Sequence, residues 1–172
     1  MTAQDLVQGR KRVKLTQVEA AAKLGVSQPY LSLLEQGERN APPSLARRAA
    51  KLYRMPATKL PVTMAVTPRP RVGPERMAKD LAALGYPGFA YMRGGRRRNP
   101  AEVLFNALAQ NNLEPRLTEA LPWVLVQYAD LDWNWLVSAV KQHDLQNRLG
   151  FLTALAVQMA ESRNAGASTF NC

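Results

Sequence analysis

Residues Leu15–Arg39 read LTQVEAAAKLGVSQPYLSLLEQGER, and this stretch predicts two short amphipathic helices joined by a tight glycine turn. Thr16, with Glu19 three residues later, carries the signature of a capping box at the start of the first helix. Val18, Ala21, Ala22 and Leu24 place small or apolar side chains at helical spacing, and the alanines allow a second helix to cross closely at a steep angle. Gly25 follows the last apolar position and supplies the left-handed backbone of a helix end. Val26 is expected to plug the corner and Ser27 to cap the second helix. Leu31 and Leu34 point that helix inward, while Gln28, Pro29, Tyr30, Ser32 and Leu33 are left outward or flanking, and Gly37 ends it.

Working outward, a preceding helix is expected from about Ala3 to Lys11, with Leu6 and Val7 inward. Arg10, Lys11 and Arg12 gather at its C-terminal end, where cations suit the helix dipole. On the other side, Ser44 is expected to cap a helix through Tyr53, with Leu45, Ala49 and Leu52 inward and Arg47, Arg48, Lys51 and Arg54 on its surface. Met55 to Leu60 reads as a short closing helix, which makes a five-helix domain over residues 1–60.

The T-Q opening, the A-x-x-x-G-V-S corner, the Y-L-S-x-L-E core and the trailing G-E-R resemble the Xre/Cro family of phage-repressor-like helix-turn-helix domains. The resemblance covers about the first third of the chain, to about Leu60. It implies that the second helix of the pair lies in the major groove of double-stranded DNA while the first straddles the backbone. Carried over residue by residue, it places Gln28, Pro29, Ser32 and Leu33 at base edges. Gln pairs bidentately with adenine, so an A·T pair is the implied target of Gln28. Pro29 has no N–H to offer and suits a thymine methyl; leucine at position 33 limits hydrogen-bonded readout there. Gln17, Tyr30, Gln36, Arg39 and Asn40 are implied phosphate contacts, with Arg10 and Lys11 as auxiliary basic contacts.

Charge follows this division. Of 23 Lys/Arg and 13 Asp/Glu in 172 residues, residues 1–76 hold 14 and 5, whereas residues 77–172 hold 9 and 8. The net +10 therefore sits almost wholly in the first part, as expected if that part faces phosphates. The single cysteine, Cys172, excludes an internal disulfide and a Cys-based zinc site. With no long apolar run to suggest a signal peptide or membrane span, the expected setting is the cytoplasm, with no membrane partner.

Residues 61–76, PVTMAVTPRPRVGPER, read as an extended linker carrying four prolines and three arginines, of which Arg69 and Arg71 either brush phosphates or keep the linker solvated. Residues 77–163 read as a second helical domain and 164–172 as a flexible tail, so the whole chain is expected to be all-α. Expected helices run over Met77–Leu84, from an Asn99 cap with Pro100 at the first position, over Thr118–Tyr128 with Pro122 opening a new turn, from an Asp132 cap, and over Leu145–Glu161. In the last, Leu145, Leu149, Leu152, Leu155 and Met159 form an apolar stripe.

Three features of this half invite functional readings. Trp123, Trp133 and Trp135 fall in one window and serve as core or as walls of a small-molecule pocket, or else Trp133 and Trp135 form a homodimer contact with the leucine-striped helix. The Arg96, Arg97, Arg98 triplet in RGGRRRNP is a solvated loop, an auxiliary phosphate contact, or a site for an acidic protein. Asp130 with Asp132 lacks a third ligand for a metal, and the lone His143 accompanies no nucleophile motif. No P-loop, GxGxxG or GxSxG occurs, so no metal, cofactor or catalytic residue is expected. The chain thus reads as a transcriptional repressor binding a two-fold operator as a homodimer. The alternative is an antitoxin, whose second domain neutralises a partner toxin while the first autoregulates the operon.

Overall fold

The computed structural model describes residues 1–62 and 72–168, with side chains through Arg163. Among the described residues there are nine α-helices and no strand. The chain divides into two compact units, residues 1–61 and residues 62–172.

The first unit contains α1 (Ala3–Arg12), α2 (Gln17–Leu24), α3 (Gln28–Gln36), α4 (Pro43–Leu52) and a 3-10 turn at Ala57–Lys59. Local chemistry sets most of these limits. Thr2 with Asp5 and Thr16 with Glu19 form complete capping boxes on α1 and α2, and the Ser27 hydroxyl accepts from the Tyr30 N–H on α3. Such caps are each worth about 1 kcal/mol. Gly25 and Gly37, at φ 66° and 81°, close α2 and α3 in the left-handed region. Two expectations change. Ser44 lies inside the first turn of α4 and makes no cap; the helix starts on Pro42-Pro43, where the fixed proline φ and the missing N–H suit a first helical position. The expected helix over Met55–Leu60 shrinks to the one 3-10 turn, because Pro56 holds extended backbone and disfavours helix at Met55 before it.

Leu6, Leu24, Leu31, Leu34, Leu45 and Tyr53 form the core, with Ala20, Ala21 and Ala49 at the close approaches. The inward arc of α2 runs through Ala20, Ala21 and Leu24. Val18 and Ala22, expected inward, lie on the opposite arc, and Val18 is 67% exposed. At 100° per residue positions 18 and 22 fall together, almost diametrically across from 20 and 24. Where α1 meets the residue that closes α4, Gly9 is required: a Cβ there would stand 2.8 Å from Cδ2 of the fully buried Tyr53 ring.

The second unit contains α5 (Pro74–Ala83), a 3-10 turn at Pro87–Phe89, α6 (Pro100–Leu108), α7 (Pro115–Gln127), α8 (Trp133–Gln142) and α9 (Gln146–Ser168). Asn99 and Asp132 cap α6 and α8 as expected. Helix α5 begins inside the stretch read as linker, because Gly73 is extended and Pro74 stands at the first helical position with Glu75 behind it. Arg69 and Arg71 lie outside the described residues. Helix α7 starts at Pro115, earlier than expected, and passes through Pro122 without a break. Proline removes the hydrogen bond to the carbonyl four residues back and costs about 3 kcal/mol in a helix interior. Packing of α7 against α5, α6 and α9, with Leu117, Ala120, Leu121, Val124 and Leu125 buried, offsets that cost. Helix α9 runs on past Glu161 to Ser168, into the segment read as a tail. Cys172 lies outside the described residues.

Substituting Gly9→Ala is expected to lower the stability of the first unit by about 1–3 kcal/mol, since the methyl must displace an enclosed aromatic ring. Thermal unfolding followed by circular dichroism measures it.

Candidate nucleic-acid interface

The outer side of α3 is built from its ends. Ser27 caps it, so Gln28 and Pro29 occupy the first turn, where backbone N–H groups lack helical acceptors. Ser32 and Gln36 follow at four-residue steps from Gln28, and the Gln36 amide donates to the Ser32 hydroxyl at 3.1 Å. Pro29 and Leu33 form an apolar line beside them, with Pro29 exposed and Leu33 half-buried. Tyr30 is half-buried against the core cluster. Gln36, Arg39 and Asn40 are exposed around and beyond the C-terminal end.

Four polar side chains connect this helix to the two others. Arg10 on α1 makes a bidentate ion pair with Glu35 near the end of α3, Nε to Oε1 at 2.7 Å and Nη2 to Oε2 at 2.8 Å. The two side chains are only 14% and 4% exposed. Nη1 of Arg10 also donates to the Leu15 carbonyl at 3.0 Å, tying in the loop before α2. Gln17, the first residue of α2, donates its amide to Glu35 Oε2 at 2.8 Å, and its carbonyl accepts from the Gln28 amide at 2.8 Å.

The direction of this chain follows from what each group can do. An ionised carboxylate accepts only, so Gln17 must turn its NH2 to Glu35 and its carbonyl to Gln28. Gln28 therefore spends one N–H on Gln17, keeping its second N–H and its Oε1. Burial alone would raise the Glu35 carboxyl; the hydrogen bonds from Arg10 and Gln17 outweigh it and hold the group below its ordinary 4.5. Burial pushes the nearby Tyr53 phenol up to about 12, with the Glu35 charge adding to the effect.

These contacts sort the residues singled out from the sequence. Gln28, Pro29, Ser32 and Leu33 share the outer side of α3 or its edge, with Gln17 next to Gln28. Arg10 is an internal strut, with both faces of its guanidinium fork occupied. Lys11 is exposed. The sequence marks Glu35 only as part of the Y-L-S-x-L-E core and Arg12 only as a cation at the end of α1. Arg12 donates to the carbonyls of Tyr53 and Arg54 at 2.6 and 3.1 Å, closing the end of α4. The available hint for Glu35 was a carboxylate directly after two inward leucines, on the same arc.

In the second unit the basic triplet separates. Arg98 anchors the loop, with Nε 3.0 Å from Asp80 and Nη1 3.1 Å from Glu102, both carboxylates being buried. Burial raises the Asp80 carboxyl, with Arg98 and Arg76 only partly offsetting it. Arg96 and Arg97 are exposed. The tryptophans do not share one pocket. Trp123 sits edge-on to Tyr86 and Tyr128, at 5.4 and 6.3 Å between ring centres, whereas Trp135 packs on Phe105 at 5.8 Å. His143 packs on the same Phe105 at 5.2 Å. Trp133 is 37% exposed. Among the described residues no three His, Cys, Asp or Glu side chains are grouped to hold a metal, and no helix is long and apolar enough to cross a membrane.

Residues 6–60 match the family model described as helix-turn-helix, of the Xre/Cro-like class. No curated protein and no solved structure matches the chain. The first unit is thus an Xre/Cro-like helix-turn-helix domain, a DNA-binding class of transcriptional regulators.

Glu35→Gln is expected to destabilise the first unit by about 3 kcal/mol at neutral pH, because it leaves Arg10 enclosed without a counter-charge. The folded-state carboxyl titrates below its unfolded value, so its contribution is complete above about pH 4.5 and is lost as pH falls through the lowered folded value. Denaturation of both proteins from pH 7 to pH 3 should show the difference shrinking with acid. In the second unit, Arg98→Gln should cost about 3 kcal/mol by leaving two buried carboxylates together, while Arg96→Gln should change stability by less than about 0.5 kcal/mol. Equilibrium urea unfolding compares them.

Proposed function

We propose that the chain is a sequence-specific transcriptional repressor that occupies a two-fold DNA operator as a homodimer and occludes a promoter. The observation that carries this reading is the relay from Arg10 through Glu35 and Gln17 to Gln28. It holds a glutamine amide at the exposed end of the recognition helix in one orientation. Gln28 then offers Oε1 as an acceptor and its second N–H as a donor, which is the pair adenine requires at N6 and N7. Ser32 adds a group that donates or accepts, and Pro29 with Leu33 suits a thymine methyl. Gln17, Tyr30, Gln36, Arg39 and Asn40 hold phosphates at the two ends of α3, with Lys11 as an auxiliary cation.

A homodimer suits a domain of this kind. One such domain reads one half-site, and two copies related by a two-fold axis read half-sites centred about 34 Å apart. Preorganisation of Gln28 lets its hydrogen bonds form without ordering a free side chain on the DNA.

Genome-wide footprinting supplies the operator, and fluorescence anisotropy with that duplex then separates the roles. Gln28→Ala should weaken operator binding by about 1–3 kcal/mol and relax preference at one A·T pair, with little change on bulk DNA. Arg39→Ala should weaken both and lower the slope of log affinity against log salt by about one. A wild-type protein with no preference over bulk DNA overturns the repressor reading.

A further inference from the structure

Residues 149–160, LGFLTALAVQMA, contain no Lys, Arg, Asp or Glu. They make about three turns of α9, yet Gly150, Phe151, Ala154, Val157, Gln158 and Met159 are exposed. A surface helix normally carries its charges on the outer side; one without them is normally covered. Phe151 is 68% exposed. Together with Leu155 and Met159 it forms a line of side chains four residues apart, beside the buried seam of Leu145, Leu149, Leu152 and Ala156.

A groove of about 500 Å³ opens along this line, between α9, α7 and the end of α6. Leu108, Leu113, Leu121, Leu152 and Leu155 line it, and Phe151 stands in its wall. Arg148 is the one charged side chain of the lining, and its Nη1 is spent on the Leu108 and Gln110 carbonyls, at 2.7 and 2.6 Å, closing the end of α6. A protruding ring and an apolar socket therefore lie on one face. That is what a two-fold contact requires, since each copy must offer both halves of the fit.

We propose that this face docks a second copy of the chain, α9 against α9, with the Phe151 ring of each copy seated in the groove of the other. The inference rests on the homodimer reading above and gives it a surface. Charge favours the same occupant. The face is neutral over twelve residues and so matches itself, and residues 77–172 carry 9 basic against 8 acidic side chains. Residues 1–76, with 14 against 5, would repel their own copy. Of the two tryptophans expected at this contact, Trp135 is packed against Phe105 and Trp133 keeps 37% exposure.

Light scattering of the eluting full-length protein at micromolar concentration tests the placement. Wild type should run as twice 19.1 kDa. Phe151→Asp should raise the dimer dissociation constant on the order of 100-fold. Thr118→Arg should act in the same way by filling the groove from its exposed wall, without altering α9. Ser138→Asp, exposed on α8 and outside both residues 149–160 and the groove lining, should remain dimeric. Circular dichroism and thermal unfolding should show all three folded; each site is on the surface. A dimer untouched by both Phe151→Asp and Thr118→Arg overturns this surface while leaving the homodimer reading standing. A wild-type monomer, both free and on operator DNA, overturns both.

Discussion

The paired guanidinium of Arg10 and carboxylate of Glu35 tie three segments of the first unit together. A buried ion pair adds little net stability, because desolvating two charges consumes most of their attraction. What it adds here is direction. Arg10 belongs to α1, Glu35 to the last turn of α3, and the Leu15 carbonyl to the loop before α2, so one guanidinium sets three segments against one another. The carboxylate has capacity left, and Gln17 uses it. Because the carboxylate accepts only, the Gln17 amide has one orientation, and so does Gln28 beyond it. The first residue of α3 is thereby set by a side chain seven residues further along the same helix, through a neighbouring one.

The surrounding structure serves this relay. Alanines at positions 20, 21 and 49 let the helices approach closely enough for side chains of medium length to span the gaps. Gly9 gives way to Tyr53, whose ring closes the unit near the ion pair. The capping boxes on α1 and α2 fix where those helices begin, and hence where Arg10 and Gln17 project. Stability comes from apolar burial; the polar relay selects one geometry from those the core would accept.

The second unit solves a different problem. Its charges are few and one cluster, Arg98 with Asp80 and Glu102, pins the basic loop to α5 and α6. Its aromatic rings are largely consumed in two separate internal stacks. Of its large apolar side chains left exposed, Phe151, Val157 and Met159 lie on α9, the first of them beside an apolar groove, and Tyr91 and Trp133 lie elsewhere.

Much of this was legible in the chain itself. Thr16, Glu19, Gly25, Ser27 and Gly37 determined the turn and the helix limits, because caps and left-handed ends depend on residues three or four apart. Leu31 and Leu34 determined the inward face of α3 by the same periodicity, and Asn99 and Asp132 marked two later starts. Other features were decided only when distant segments met. Val18 and Ala22 satisfied a local pattern, but the arc of α2 that faces α3 and α4 runs through Ala20 instead. Pro122 signals a break, and packing on three sides carries the helix through it. Arg10 and Glu35 are 25 residues apart, and Arg98 meets Asp80 from 18 residues away, so no local spacing announces either pair. Sequence determined where backbone turns, because short-range hydrogen bonds and dihedral preferences are local. Tertiary structure decided which polar groups are paired and which are free, because that depends on what comes to lie across the gap between helices.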